Sequence, residues 1–483
     1  MKKRFEKRVS RLIAIARAQL ERGSLEQALN TVATCALTLY SGNQCYISED
    51  LEDILSQLAL RIPFPEITAS GKEDRVLFYD GFGLASRGLM SIYLRALCKT
   101  RKVTLVTRKA WVPGLGEAVA LVESTGGQVC LLEGHRKLED IRTLQNIIGS
   151  CGARHLFMYA NADDVVVTTA FLGVPKDRVR YQINLTDHAF WLGSRCADKY
   201  IEFRDYGGAI SLAYRGIPRE KLVKLPFYPR IDQYSAFAGY PAPFDPEKQQ
   251  MVFSGGALYK TMSPDNAYYR VVSGLLQDHP QLVFWYAGSG DSTQLDILSQ
   301  KFPGRVWHTP ERQDLFGILE RCLFYLSTYP ICGGLMFQYA AAAGKVPVTL
   351  KHDGISDGFL LDQGSLQIEF DTTELVGREI TRLVTEPDYR REKEARLSCA
   401  VLNPDTFADR LNQLLETGDT GLHLDCSLPD IRQLQQLYAS NYTVRQLRQD
   451  LVRKGNGFLL AYFPLDYTLG FLQKLRQKLR KSA

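Results

Sequence analysis

The stretch Met251-Val-Phe-Ser-Gly-Gly-Ala-Leu-Tyr-Lys260 reads as a short strand running into a small-residue turn that ends on a cation. Tyr325-Leu-Ser-Thr-Tyr-Pro-Ile-Cys-Gly-Gly334 repeats the form, and an apolar helix over residues 335–343 follows it. Glycine turns leave backbone N–H groups open to a ligand, and a helix N-terminus adds the positive end of its dipole. Gly255, Gly256, Lys260, Gly333 and Gly334 together therefore predict a cradle for a diphosphate. Taken singly, Lys260 is a surface lysine and Gly333-Gly334 a turn before a helix. Their joint meaning comes from the sheet, because each turn closes a strand of one predicted sheet and reaches the same edge.

That sheet follows from the alternation around it. Short apolar runs predict strands at 252–254, 282–287, 305–307, 323–327 and 346–350, separated by helical stretches at 268–276, 295–301, 315–322, 335–343 and 373–385. The same alternation occupies the first half of the chain, with strands at 76–79, 103–106, 129–132, 156–159, 179–183 and 200–203 and helices at 87–98, 116–124 and 138–150. Regular strand–helix alternation means right-handed βαβ units and a parallel sheet. The fold class is α/β, with two Rossmann-like domains in tandem. Pro226, Pro229, Pro241, Pro243 and Pro246 crowd a segment of little periodicity, which reads as the linker. Ligands in such folds bind beyond the carboxyl ends of the strands, so the expected site is the cleft between the domains.

Residues 8–60 carry helical stripes, Leu12-Ile13-Ala16-Leu20, then Leu29-Val32-Ala36, then Leu51-Leu55-Leu58. Ser24 and Gln27 predict a capping box at the start of the second. The hairpin faintly resembles one tetratricopeptide unit; a single unit cannot bury its own face, so a helical cap docked on the next domain is expected. The chain thus divides into a helical segment 1–70, a first Rossmann-like domain 71–230, a linker 231–249, a nucleotide-binding Rossmann-like domain 250–420 and a helical basic extension 421–483. In the last of these, Leu465, Leu469, Leu472 and Leu479 form a stripe among Lys474, Arg476, Lys478, Arg480 and Lys481. Such a helix either lies on an anionic membrane surface or packs as a solvated helix on its neighbours.

Composition removes several classes of function. The 483 residues are 45% hydrophobic and 23% charged, which is globular, and the net charge of +6 is too small for a dedicated nucleic-acid binder. Ten cysteines without a C-x-x-C pair suggest neither a zinc framework nor a disulfide scaffold. Arg11 and Arg17 break the apolar region a signal peptide would need, and no uncharged run is long enough to span a bilayer. A cytoplasmic protein, with peripheral membrane contact through the C-terminal helix as an option, is expected.

Four loops carry candidate chemistry. Asp80-Gly-Phe-Gly-Leu-Ala-Ser86 approaches the dinucleotide fingerprint, with Thr107-Arg108-Lys109 at the next strand end in place of the ribose-binding acid, so an NADP site is one reading. Asn184-Leu-Thr-Asp-His-Ala-Phe-Trp-Leu-Gly193 sets His188 and Asp187 at a strand end, where either acts as a general base or the pair is structural. His308-Thr-Pro-Glu-Arg-Gln-Asp314 either suits base or ribose recognition, with Arg312 as a donor and Asp314 near a helix start, or is a plain solvated loop. Asp353 and Asp357 are candidates for sugar hydroxyls. The chain has no D-x-D, the local pattern for a metal-bridged diphosphate, so no metal is called for and the cation role falls to Lys260 and the helix end.

Phe253-Ser-Gly-Gly-Ala-Leu-Tyr-Lys-Thr-Met-Ser-Pro264, Leu282-Val-Phe-Trp-Tyr286, Leu326-Ser-Thr-Tyr-Pro-Ile-Cys-Gly-Gly334 and Ala343-Gly-Lys-Val-Pro347 resemble the donor-binding half of GT-B glycosyltransferases. The pattern is similar to that of the O-GlcNAc transferases and the bacterial cytoplasmic N-glucosyltransferases. The resemblance implies that Lys260 binds the nucleotide diphosphate, that the helix opened by Gly333, Gly334, Leu335 and Met336 caps the same phosphates, and that Pro310–Arg312 touch the uracil. Asp187-His-Ala-Phe-Trp191, with Arg215-Gly-Ile217 and Pro226, resembles the acceptor-side domain of that group. Two departures stand out. Leu335 and Met336 occupy places where the family has polar residues, and no repeat array for presenting protein acceptors is visible.

The expected function is transfer of a sugar from a nucleotide donor, UDP-linked, to an unidentified protein, glycan or lipid-linked acceptor, by inversion and without a metal or other cofactor. Two other classes are carried beside it: a non-catalytic partner or scaffold with a degenerate GT-B fold, and an NADP-dependent enzyme using the Asp80 turn.

Overall fold

The structure is a computed structural model describing residues 2–83, 89–232, 235–263, 265–331, 333–351, 367–398, 400–427, 431, 432, 436 and 442–482. The chain forms two compact units, one of Met1–Leu225 with Ala408–Ala483, the other of Pro226–Phe407.

In the first unit, β1 (Lys72–Asp80), β2 (Lys102–Arg108), β3 (Gln128–Leu132), β4 (Ala153–Tyr159), β5 (Val179–Asn184), β6 (Lys199–Glu202) and β7 (Leu222–Lys224) make one parallel sheet in the order β3-β2-β1-β4-β5-β6-β7. Its helices include α4 (Met90–Leu97), α5 (Gly116–Ser124), α6 (Lys137–Ser150), α7 (Val165–Leu172) and α8 (Asp205–Arg215). The last two escape the sequence pattern. α7 is Val-Val-Val-Thr-Thr-Ala-Phe-Leu, buried at every residue but the last and so without a helical stripe. Asp164 starts it, its carboxylate accepting from the Val166 and Val167 amides at 3.0 and 3.4 Å.

The helices α1 (Lys2–Glu21), α2 (Leu25–Gly42) and α3 (Glu49–Arg61) are no separate body. Their stripes, Leu12, Ala16, Leu29, Val32, Leu51 and Leu55, lie in one core with Leu77, Leu156 and Phe171 of the sheet layer. The hairpin buries its apolar face there, as a docked cap. Ser24 does not form the predicted box, since its side chain makes no capping bond. A capping box is present instead at Thr443 and Gln446, opening the helix Val444–Arg453. That helix and its successor, Pro464–Ser482, belong to the first unit rather than to an extension of the second, and Leu447, Leu451 and Phe463 complete the same core.

The second unit holds β8 (Gln250–Gly255), β9 (Leu282–Ala287), β10 (Val306–Thr309), β11 (Phe324–Leu326), β12 (Pro347–Leu350) and β13 (Glu369–Phe370), all parallel in the order β10-β9-β8-β11-β12-β13. α9 (Ala267–Asp278), α10 (Thr293–Lys301), α11 (Leu315–Arg321), α12 (Gly334–Ala342) and α13 (Thr373–Thr385) accompany it. All six side chains of β9 are buried, as a strand covered on both faces requires. Strand order reverses between β8 and β11, which makes their carboxyl ends the topological switch point where doubly wound sheets bind ligands.

The proline-rich segment does not behave as a linker. Tyr240 lies 6.4 Å from the Trp285 ring and Phe244 5.8 Å from that of Trp307, so aromatic burial holds residues 237–244 against the second sheet.

Candidate active site

At the switch point, the turn after β8 is built by exclusion. Gly256 sits at φ +133°, a conformation that side chains rarely adopt, and its carbonyl accepts from the Tyr286 hydroxyl at 3.0 Å. A Cβ on Gly288 would meet that carbonyl at 1.8 Å, so the turns after β8 and β9 cross with no space for a side chain. The chain then winds through one tight turn, Leu258–Thr261, with the Leu258 amide bonded to the Ser289 carbonyl at 3.0 Å. Half-buried Lys260 stands on this turn. Among the described residues its ammonium has neither a hydrogen bond nor an ion pair.

The second glycine turn is fastened to the first. The Ile331 amide donates to the Lys260 carbonyl at 3.2 Å, and the Thr328 hydroxyl donates to the Ile331 carbonyl at 2.7 Å. Gly333 and Gly334 follow directly, and α12 begins at Gly334 with no side-chain cap. The Met336 amide is turned back onto the Gly333 carbonyl at 2.7 Å. Leu335 is 41% exposed at the helix start. Only backbone, then, is offered by α12, and Lys260 is the charged side chain beside it.

His308 and Arg312 have structural duties. The His308 Nε2 donates to the Gly288 carbonyl at 2.9 Å, bracing the crossed turns from the third strand. The guanidinium of Arg312 forms a two-point pair with Asp314, at 2.8 and 2.7 Å, and also donates to the Gly239 carbonyl at 3.1 Å. Asp314 in turn accepts the Ala238 amide at 2.7 Å. Arg312 thus pins the aromatic strap. Pro310 is exposed in the loop after β10. Asp353 and Asp357 lie outside the described residues.

In the first unit, β5 ends at Asn184 and delivers the loop of Asp187 and His188. Asp187 is fully buried and receives both arms of Arg204, one through Nη2 at 2.9 Å. Burial opposes its ionisation, but Arg204 and the His188 ring outweigh it and hold the carboxyl well below the usual carboxylate range. Buried and held by Arg204, the Asp187 carboxylate is not exposed to an acceptor, which leaves His188 as the exposed candidate for the base. What it does is orient His188, whose Nδ1 lies 3.4 Å from Asp187 Oδ1 and whose side chain is 38% exposed. The loop itself is moulded around Arg215, which donates to the carbonyls of Asp187 at 2.9 Å and Ala189 at 2.7 Å and stacks on Trp191. Asn43, just after α2, donates to the His188 carbonyl at 3.0 Å.

Beneath the loop lies a carboxylate that the sequence reading passed over. Glu202 is wholly buried, accepting from Asn184 Nδ2 at 3.1 and 2.9 Å and from the Ser211 hydroxyl. Burial pushes its pKa to about 7 against the pull of Arg215, Ser211 and Asn184. An acid inside the apolar run Tyr200-Ile-Glu-Phe203 was the available signal.

No protein-family model matches the sequence, and no curated protein does. Solved structures do. Anabaena HepE in complex with UDP matches at 15% identity over 71% of this chain and 100% of that one, with a TM-score of 0.51. A glycosyltransferase from Rickettsia africae matches at 9% identity over 73% of this chain and 100% of that one, also at 0.51. A variant of the O-GlcNAc transferase of Thermobaculum terrenum matches at 14% identity over 89% and 84%, at 0.49.

The fold is GT-B.

Within this GT-B chain the Asp80 turn does not present an open dinucleotide site. Asp80 caps it, its Oδ1 accepting the Phe82 and Gly83 amides at 3.0 Å each and its Oδ2 the Thr107 hydroxyl at 3.0 Å. A Cβ on Gly83 would strike the Trp111 ring at 2.5 Å, and Trp111 is itself stacked on Arg108. The Phe82 and Gly83 amides are already bonded to a carboxylate; residues 84–86 of the motif lie outside the described residues. Among the described residues no cluster of three metal-ligating side chains occurs, and no helix is long and apolar enough to cross a membrane.

Proposed function

We propose that this protein is a cytoplasmic glycosyltransferase that takes its sugar from a UDP-linked donor. The observation that carries the reading is the pair of glycine turns at the switch point of the second sheet, bonded to one another through Ile331 and Lys260, with the Lys260 ammonium available to a diphosphate. HepE, of the same fold, was solved with UDP, which supports the choice of nucleotide.

The reaction is a single displacement with inversion. The acceptor heteroatom attacks the anomeric carbon, and its proton passes to the Nε2 of His188, held by Asp187. The bond from the anomeric carbon to the diphosphate oxygen breaks, and its electron pair leaves with UDP. Lys260 and the N-terminus of α12 meet the charge growing on that oxygen, the task a metal ion performs where acidic ligands hold one. The acceptor is a protein, glycan or lipid-linked hydroxyl or amide.

Thermal shift with UDP, and UDP release from UDP-sugars without an acceptor, test this directly. Stabilisation by UDP that Lys260→Ala abolishes supports it. A folded protein that neither UDP nor any UDP-sugar stabilises, and that releases no UDP, overturns it.

A further inference from the structure

The helix Pro464–Ser482 packs on the helix Val444–Arg453 and is tied to α1 through Asp466. A Cβ on Gly470 would meet the Arg448 carbonyl at 2.5 Å, so glycine lets this helix lie close against its neighbour Val444–Arg453. Away from that contact stand Leu465, Phe471, Leu472 and Leu475, 69%, 54%, 44% and 45% exposed. Their three- and four-residue spacing sets them along one side of the helix. Leu460, 45% exposed, lies in the short turn Gly457–Ala461 just before it. Apolar side chains gathered in this way on an otherwise soluble surface mark an interaction site.

The sequence on either side of them is predominantly basic. The helix sequence carries Lys474, Arg476, Lys478, Arg480 and Lys481, and its single acid, Asp466, is already bonded to Arg8 and Arg448. The bond to Arg8 brings in the opposite end of the chain. Arg8 and Arg11 lie over the Phe463 ring at 4.6 and 4.8 Å, which sets the first turns of α1, with exposed Lys2, Lys3, Arg4 and Lys7, beside the start of the last helix. Residues 2–11 hold six cations and one acid, and residues 464–482 five and one, against +6 for the whole chain, so the remainder of the chain is net acidic.

We propose that the protein docks through this surface on an anionic lipid bilayer, with the Pro464–Ser482 helix lying in the headgroup plane. Exposed leucine and phenylalanine side chains on a helix of predominantly basic sequence match such a surface in both its layers: the apolar residues enter the acyl boundary while the cations meet anionic headgroups. A protein groove would be expected to answer apolar residues with apolar ones, and the basic ends of α1 and of the last helix would add nothing to it. Docking is independent of the transferase reading, and its test uses no sugar nucleotide.

Sedimentation of the full chain with phosphatidylcholine vesicles, with and without phosphatidylglycerol, reads it out. Binding is expected only with phosphatidylglycerol and is expected to fall in high salt. Phe471→Ser with Leu475→Ser is expected to lower the partition coefficient about tenfold or more, with an unchanged circular-dichroism melt because both residues are exposed. Gln at Lys2, Lys3 and Arg4 is expected to weaken anionic binding while leaving the melt intact. Absence of vesicle binding at low salt by the folded chain overturns the proposal. So does light scattering that shows a dimer which the Phe471 and Leu475 changes dissociate, since a second copy would then cover the face.

Discussion

The amide of Ile331 donates to the carbonyl of Lys260 at 3.2 Å, joining the loop after β11 to the turn after β8 across the switch point of the second sheet. The backbone of Lys260 is thereby fixed by the segment that opens α12, while its side chain stays uncommitted. Removing that side chain should leave the scaffold untouched. Lys260→Ala is expected to lower kcat for UDP release about a hundredfold or more and to abolish the UDP thermal shift, with Tm unchanged in the absence of ligand.

His188 separates binding from chemistry. His188→Ala is expected to retain the full UDP shift yet to lose transfer by about a hundredfold or more, seen in acceptor-dependent turnover. Retained transfer by a folded His188→Ala protein would move the base elsewhere.

Asp187→Ala behaves differently, because it strands the buried Arg204 guanidinium. Breaking such a pair costs about 3–5 kcal/mol, so this variant should melt well below the parent. The carboxyl's depressed pKa gives the pair a pH window. Its stabilisation is complete above the ordinary carboxylate pKa of about 4 and is lost as pH falls through the lower folded value.

Glu202 titrates with the opposite sign. Its pKa rises from about 4.3 when unfolded to about 7 in the fold. Between those values the folded chain keeps a proton that the unfolded chain has released. The residue's contribution is therefore full below about pH 4 and declines as pH rises to about 7. In Glu202→Gln this slope is expected to vanish, so the difference in Tm between variant and parent should shift in the variant's favour from pH 5 to pH 8.

Two glycines make a contrast at fixed chemistry. Gly288→Ala forces a methyl onto the Gly256 carbonyl and is expected to lower Tm and weaken UDP together. Gly274→Ala, in α9 with nothing within 4 Å, is expected to raise stability by about 0.5–1 kcal/mol.

The parallel sheets were legible because strands buried on both faces are written as uninterrupted apolar runs, such as Leu282–Ala287. The two glycine turns were legible as well, as small-residue turns that each follow a strand of the second sheet. What stayed hidden depended on partners distant in sequence. Nothing local to Arg312 announces the Gly239 carbonyl as its target, and nothing near Asp187 shows that Arg204 will claim its carboxylate. The docking of the last helices on the first unit was hidden for a related reason: a helical stripe states that a face will be buried, not where. Residues 237–244 misled because their prolines spoke for a linker, while Tyr240 and Phe244 were headed for Trp285 and Trp307.

The division at Leu225/Pro226 and again at Phe407/Ala408 has a consequence for synthesis. The second unit is continuous in sequence and can fold as soon as it has left the ribosome. The first must wait for Leu447, Leu451 and Phe463, which close its core from the far end of the chain. The half made later is thus complete before the half made first, and until then the early half remains an unfinished core in need of protection from aggregation.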